Sequence, residues 1–148
     1  MTTTSYGVLI LNEHGQLLLV HTRGQRHWDF PKGSAQGGEA ARDAALRAVQ
    51  ELTGFDFSDA SLVDLGVVRY LPRRNVHLFK TVASTNQWDI STCRCTRISS
   101  HHATGVMTPE VDQFGWVDPA DVARLAARST ISVLQTLPGW DSMGLFVR

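Results

Sequence analysis

The sequence contains little of what crosslinks a chain, anchors it in a membrane or gives it an overall charge. Its 148 residues include two cysteines, and 14 basic side chains balance 14 acidic ones, so the formal net charge is zero. A neutral chain lacks the overall basic field that favours nucleic acid or an anionic membrane surface. The apolar runs at residues 8–11 and 17–20 are far shorter than the roughly 20 residues needed to cross a bilayer. We therefore expect no membrane partner.

No internal repeat, low-complexity run or linker interrupts the chain, and its length suits one domain with a sizeable core, over residues 1–148. The first residues, MTTTSYG, lack the charge and the long apolar block of a secretory signal. We therefore expect a cytoplasmic protein.

The two cysteines do not predict a crosslink. Cys93 and Cys95 are separated by one residue, which would strain a disulfide between them. His101 and His102 follow and raise the hypothesis of a soft-metal site, but neither spacing fits the usual zinc patterns. Free thiols in a reduced compartment are the favoured interpretation.

The most informative stretch is residues 28–55. A short extended piece, Trp-Asp-Phe-Pro, leads into a glycine-bearing loop at residues 32–38, and an alanine-rich helix is predicted over residues 39–52. Glu39 is expected in its first turn, and Gly54 supplies a stop signal. Asp43, Arg47 and Glu51 follow at steps of four, a stripe that on helix pattern alone indicates a solvated face.

The spacing of this stretch resembles the signature of the Nudix hydrolases. That signature is a glycine, five residues, a glutamate, seven residues, and then Arg-Glu-apolar-x-Glu-Glu-x-Gly-apolar. The matching residues are Gly33, Glu39, Arg47, Val49, Glu51, Gly54 and Phe55. Two positions depart from it, because Ala48 and Leu52 stand where the family has glutamates.

The resemblance implies a metal-assisted reaction on a diphosphate. In the family, glutamates of this helix hold Mg²⁺ or Mn²⁺. Carried over here, Glu51 and Glu39 would be the metal ligands, and Arg47 would hold one of them in position. A further ligand or general base is expected from an acid in a later segment, where Glu110 is the first candidate and Asp112 the reserve; two surface acids before an edge strand are the alternative.

Four residues are candidates for substrate contact. Lys32 and Gly33 lie in a loop whose backbone can approach a ligand closely, and the lysine could meet a phosphate oxygen. Trp28 could stack on a base or simply be half-buried at a strand start. Arg74, beside another arginine in a predicted turn, could contact outer phosphates, although charged turns are usually only solvated.

The rest of the chain completes a predicted α/β fold. Strands are expected at residues 5–11, 17–22, 65–71 and 76–82, with the second buried on both faces. Helices are expected at residues 119–127, with Asp118 as N-cap, and at 130–137. Residues 91–108 read as loop with an irregular strand near 93–98, and the apolar residues of the tail, 140–148, as docked or at an interface. The resemblance implies an α/β/α sandwich around a mixed β-sheet.

Together these features predict a Nudix-type pyrophosphohydrolase that cleaves a pyrophosphate linkage in a nucleoside diphosphate joined to another group. The alternative is a catalytically weak or inactive Nudix domain that binds a nucleotide or a protein. The expected partner is a small nucleotide or another diphosphate, with an RNA end as the one nucleic acid considered. The resemblance and the apolar tail also allow a homodimer.

Overall fold

A computed structural model describes residues 2–100 and 104–137, which form a seven-stranded sheet, a two-stranded hairpin and three α-helices. The elements in chain order are β1 (Thr3–Leu11), β2 (Leu17–Thr22), β3 (Trp28–Asp29), β4 (Lys32–Gly33), α1 (Ala41–Thr53), β5 (Val63–Leu71), β6 (Arg74–Val82), β7 (Ile98–Ser100), β8 (Met107–Pro109), β9 (Val111–Val117), α2 (Pro119–Leu125) and α3 (Arg128–Thr136).

The large sheet is mixed, as the sequence predicted. Its main order is β3-β2-β1-β6-β5, while β4 pairs with β1 and β9 pairs with β2. The strands β1 and β6 are parallel from the pair Thr3 and Arg74 to the pair Leu11 and Val82. The other pairings are antiparallel. The separate hairpin joins β7 to β8.

The strands β1 and β2 divide the core into two layers. Because successive side chains point to opposite faces of a strand, Val8 and Ile10 pack with α1, whereas Leu9 and Leu11 pack on the side of α2 and α3. The second strand is buried from Leu17 to Val20, as its continuous apolar run predicted. Helices therefore cover both faces of the sheet, and the sandwich is confirmed.

Helix α1 begins later than expected. Ala40 is its N-cap, so Glu39 lies in the preceding loop and not in the first turn. There its carboxylate accepts a hydrogen bond from the Gln36 backbone N–H at 2.9 Å. At the other end, Gly54 adopts the left-handed conformation, φ 82°, and its N–H donates to the Gln50 carbonyl. The predicted stop is confirmed, and the predicted start is corrected.

Other predictions are confirmed in kind and adjusted in extent. The two strands expected at 65–71 and 76–82 each begin two residues earlier. Asp118 is the N-cap of α2, but its side chain accepts from Gln16 instead of capping the helix. The irregular strand expected near residues 93–98 is wrong, because a short 3₁₀ turn, Ile90–Thr92, precedes the β7–β8 hairpin.

None of the helices in the described residues has the length and apolar character needed to cross a membrane. The predicted docking of the tail falls on residues 140–148, outside the described residues.

Substituting Gly54 by alanine should destabilise the protein by about 1–2 kcal/mol, because the left-handed conformation is costly for a residue with a Cβ. The added Cβ would also lie 3.3 Å from the Arg94 carbonyl oxygen. Urea unfolding measures the loss. Gly37→Ala is the matched control, since nothing lies within 4 Å of its added Cβ. Equal stability of the two variants would contradict the prediction.

Candidate functional site: a carboxylate and guanidinium cluster on helix α1

Arg47 joins the two glutamates that the sequence singled out. Its Nε and Nη2 each donate to one oxygen of the Glu39 carboxylate at 3.0 Å. Its Nη1 donates to Glu51 Oε1 at 3.1 Å, one helical turn away. A fourth bond, 2.6 Å to the Ser34 carbonyl, fastens the loop to the helix. Arg47 therefore fixes the loop, Glu39 and Glu51 in one arrangement.

A second arginine, Arg97, completes the cluster from another part of the chain. Its Nη2 and Nε donate to Glu51 Oε1 at 2.6 and 3.1 Å, and its Nη1 lies 4.0 Å from Glu110 Oε2. Sequence reasoning missed this residue, which belongs to the poorly patterned segment before β7. No motif in that segment marks it.

Gly33 is the residue that makes room for Arg97. A Cβ at Gly33 would lie 2.8 and 3.0 Å from the two terminal guanidinium nitrogens, and 3.3 Å from the Ala48 Cβ. Contacts under 3.0 Å would force the guanidinium to move. The glycine expected to approach a ligand therefore approaches the protein's own guanidinium.

The two positions that depart from the Nudix signature have become part of the core. Ala48 is fully buried, and Leu52 is 5% exposed. Leu52 packs in a small apolar cluster with Val20 and Val111. The helix therefore presents Glu51 alone among the three signature positions 48, 51 and 52.

Hydrogen bonds from arginine hold both glutamates in their charged form. The bond from Arg97 is the largest cause that lowers the pKa of Glu51 below 4.5, and Arg47 adds to it against the opposing effect of burial. The pKa of Glu39 is lowered chiefly by the bond from Arg47. In return, Glu39 raises the pKa of Arg47. Glu39, Arg47 and Glu51 are thus all charged, and their hydrogen bonds fix their positions relative to one another.

The two late acids lie in different places. Glu110 directly precedes β9, where its backbone N–H donates to the Arg97 carbonyl at 2.8 Å. Its carboxylate faces the Arg97 guanidinium. Asp112 pairs instead with His21 Nδ1 at 2.6 Å. The structure therefore brings the first candidate, and not the reserve, to the cluster.

Of the four predicted substrate contacts, Gly33 lies at this cluster and the other three do not. Lys32 pairs with Asp29, and its Nζ lies 5.7 Å from the ring centres of Phe30 and Tyr70. Those rings belong to the layer of α2 and α3, whereas Gly33 faces α1. Alternation along β4 thus points Lys32 away from Glu51.

The other two predicted contacts lie elsewhere. Trp28 is half-buried, with its ring 3.5 Å from the Cβ position of Gly115, which favours the packing interpretation. Arg74 is the exposed first residue of β6, paired with Thr3 at the start of β1. Their roles as substrate contacts stay predictions.

The cysteines lie next to the cluster without joining it. Cys93 is packed in the α1 layer of the core, and burial raises the pKa of its thiol to about 12. Cys95 Sγ donates to the Arg97 carbonyl at 3.3 Å. His101 and His102 lie outside the described residues.

As arranged here, the donors do not fit a divalent ion. Glu51 Oε1 already accepts three guanidinium N–H groups, and Glu39 accepts from Arg47 and Gln36. Mg²⁺ requires oxygens at about 2.0–2.1 Å in near-octahedral geometry. Within residues 2–100 and 104–137, no group of three or more His, Cys, Asp or Glu side chains could hold a metal. The prediction that Glu51 and Glu39 bind Mg²⁺ or Mn²⁺ stays untested.

A cavity of about 430 Å³ opens beside Glu110. Its lining residues are Thr22, Arg23, Gly24, Gln25, Ser99, Ser100 and Glu110. Arg23 is fixed there, because Nη2 donates to the Ser99 hydroxyl at 3.2 Å and Nε to the Pro109 carbonyl at 3.1 Å. A larger, more apolar cavity of about 960 Å³ lies between β5, β6 and Trp88, and it shares no residue with the cluster.

The comparisons with known proteins agree with this fold. The model of the NUDIX domain family matches residues 1–137. An RNA pyrophosphohydrolase of Marinomonas sp. is 32% identical over 117 residues, which are 75% of this chain and 72% of that protein.

Two solved structures show the same fold at low sequence identity. The E. coli dihydroneopterin triphosphate pyrophosphohydrolase gives a TM-score of 0.62 at 20% identity, covering 93% of this chain and 97% of that one. The NUDIX domain of Shewanella oneidensis NrtR, complexed with ADP ribose, gives 0.67 at 15% identity, covering 91% and 85%.

The chain therefore belongs to the NUDIX domain family. The predicted family, the mixed-sheet sandwich and the enzyme class, a Nudix-type pyrophosphohydrolase, are confirmed.

Replacing Glu51 by glutamine should make the free energy of unfolding depend less on pH in the acid range. Because the pKa of Glu51 in the folded protein lies below 4.5, the unfolded chain binds more protons there as the pH falls. The carboxylate's contribution is therefore present at neutral pH and lost as the pH drops through the folded-state pKa. Urea unfolding at neutral pH and at about pH 3 should show the wild type and Glu51→Gln converging in acid. Asp43→Asn, an exposed carboxylate of the same helix, should not converge in this way.

Replacing Leu52 by glutamate should cost at least about 3 kcal/mol, because the carboxylate would be buried in an apolar cluster without a partner. Leu52→Met keeps the volume and should cost less than about 1.5 kcal/mol. Thermal or urea unfolding of both variants measures the difference. Full stability of Leu52→Glu would show that position 52 opens toward the site.

Proposed function

We propose that this chain hydrolyses a pyrophosphate linkage in a nucleoside diphosphate joined to another group, or at the triphosphate end of an RNA. The observation that carries the proposal is that Glu51, on the helix that matches the Nudix signature, binds Arg97, which in turn faces Glu110 at the edge of a cavity. The relative named RNA pyrophosphohydrolase supports the reaction class.

The substrate is proposed to occupy the cavity beside Glu110. Its volume falls within the roughly 300–1,000 Å³ typical of small-molecule sites. Arg23 on its wall would meet phosphate oxygens, and Arg97 faces Glu110, another residue of its lining. Guanidinium forks suit phosphate oxygens well. The chain's neutral net charge favours a small nucleotide or a single RNA end over a long nucleic acid.

Glu110 is the proposed general base. Its carboxylate is 32% exposed and borders the cavity, so a water molecule can reach it. The base would take a proton while the water oxygen forms a bond to one phosphorus. The bond from that phosphorus to the bridging oxygen would break, and the leaving phosphate would keep the electron pair. Glu51 would position Arg97, and Arg47 would position Glu51.

A divalent ion on Glu51 and Glu39 remains the expectation that the family resemblance supplies. No step above is assigned to such an ion, because both oxygens of Glu39 and Oε1 of Glu51 accept hydrogen bonds from arginine.

Glu110→Gln should lower kcat by about 100-fold or more with little change in KM, the usual loss when a positioned base is removed. The assay follows product release from ADP-ribose, dinucleoside polyphosphates and triphosphate-ended RNA, in Mg²⁺, in Mn²⁺ and in EDTA. Asp112→Asn is the matched control, because that acid pairs with His21 outside the cluster. A larger loss in Asp112→Asn would make the reserve candidate the base.

A second function is favoured by one observation, the neutralisation of Glu51 by two arginines. Such a site could bind a nucleotide without cleaving it. Binding of ADP-ribose measured by calorimetry, with no turnover of any compound in the panel, would replace the hydrolase by this binding function.

A further inference from the structure

Both the backbone and the side chain of Arg97 form hydrogen bonds that hold the residue in place. Its N–H donates to the Glu51 carbonyl at 3.3 Å, beside a 2.7 Å bond from Thr96 N–H to the same oxygen. Its own carbonyl accepts from the Glu110 N–H at 2.8 Å. The residue is therefore tied both to the last turn of α1 and to the segment that enters β9, and its position is a product of the fold.

The Arg97 guanidinium lies between two carboxylates. It donates to Glu51 and faces Glu110 at 4.0 Å, so it connects the helix carboxylate to the proposed base. Arginine keeps its positive charge at every physiological pH, and it cannot be deprotonated to make way for another cation.

The surroundings are shaped for this group. The absence of a side chain at Gly33 leaves the space that the terminal nitrogens of Arg97 occupy. The Ala48 Cβ lies 3.3 Å from a Cβ placed at Gly33. Glutamates at positions 48 and 52 would add charge to hold a divalent ion, but both positions are apolar and buried. The cluster thus has fewer carboxylates than the Nudix signature, and it contains a cation of its own, the Arg97 guanidinium.

The charge at Arg97 is accessible to a ligand. Its side chain is 23% exposed, and its Nη1 extends toward Glu110, which lines the cavity. Arg23 also lines this cavity, and its backbone N–H donates to the Glu110 carbonyl at 2.7 Å. A diphosphate in the cavity would meet Arg23, and it would lie beside Glu110, the lining residue that the Arg97 guanidinium faces.

We propose that Arg97 takes the place of the divalent ion at this site, so that the protein binds a diphosphate through a guanidinium and without metal. This inference rests on the site of the proposed function and names the cation that recognises the substrate. Charge-assisted bonds from a guanidinium to phosphate are strong and directional, and they require no metal ligands.

The test is calorimetric binding of inorganic pyrophosphate in EDTA. The wild type should bind in EDTA, without any divalent ion. Arg97→Gln should weaken binding by about tenfold or more, the usual effect of losing a charged hydrogen bond. Arg97→Lys keeps the charge and should recover part of the loss. Arg94→Gln removes an exposed arginine of the same segment and should bind like the wild type.

Glu51→Gln separates a guanidinium site from a metal site. The backbone hydrogen bonds of Arg97 remain in this variant, and the removed carboxylate no longer repels the anion, so pyrophosphate affinity in EDTA should rise. A metal site would instead lose its ligand and its affinity. Thermal unfolding checks that each variant is folded.

The inference is overturned if the wild type needs Mg²⁺ to bind pyrophosphate, or if folded Arg97→Gln binds as tightly as the wild type. Turnover that is unaffected by Arg97→Gln would leave the proposed hydrolase standing while removing this inference. Binding that depends on Arg97, without turnover, would leave this inference standing while removing the proposed hydrolase.

Discussion

The candidate site depends on the ion pair between Glu51 and Arg97. This pair connects the last turn of α1 to a segment 46 residues further along the chain. Because Glu51 is 34% exposed and Arg97 is 23% exposed, solvent screens the attraction, and its contribution to global stability is modest. Its main effect is geometric, since it fixes where the positive charge stands relative to Gly33 and Glu110.

In helix α1, two positions that are glutamates in the Nudix signature carry buried apolar side chains instead. Buried alanine at position 48 and leucine at 52 strengthen the contact between α1 and the sheet, while Glu51 keeps the one carboxylate among the signature positions 48, 51 and 52. The helix still presents the family's loop, arginine and glutamate in the same register. The framework of the site is therefore preserved, although the carboxylates available at it are fewer.

The sequence predicted the elements that carry strong local patterns. The buried run at residues 17–20, the alanine-rich helix with its terminal Gly54 and the register of the Nudix signature were all visible, because each depends on neighbouring residues. Arg97 was not visible, because its role depends on a contact between distant segments and its own segment has no periodicity. The direction of Lys32 was missed for a different reason: β4 has two residues, too few for strand alternation to be recognised.

The parallel pairing of β1 with β6 joins residues about seventy positions apart at the centre of the sheet. Such non-local pairing must close a long loop before it gains any stabilising contacts, and chains rich in it fold slowly. Gly33, Glu51, Arg97 and Glu110 come from four separate segments around this pairing. During synthesis, the cluster can form only after Glu110 has left the ribosome, so shorter nascent fragments would lack it.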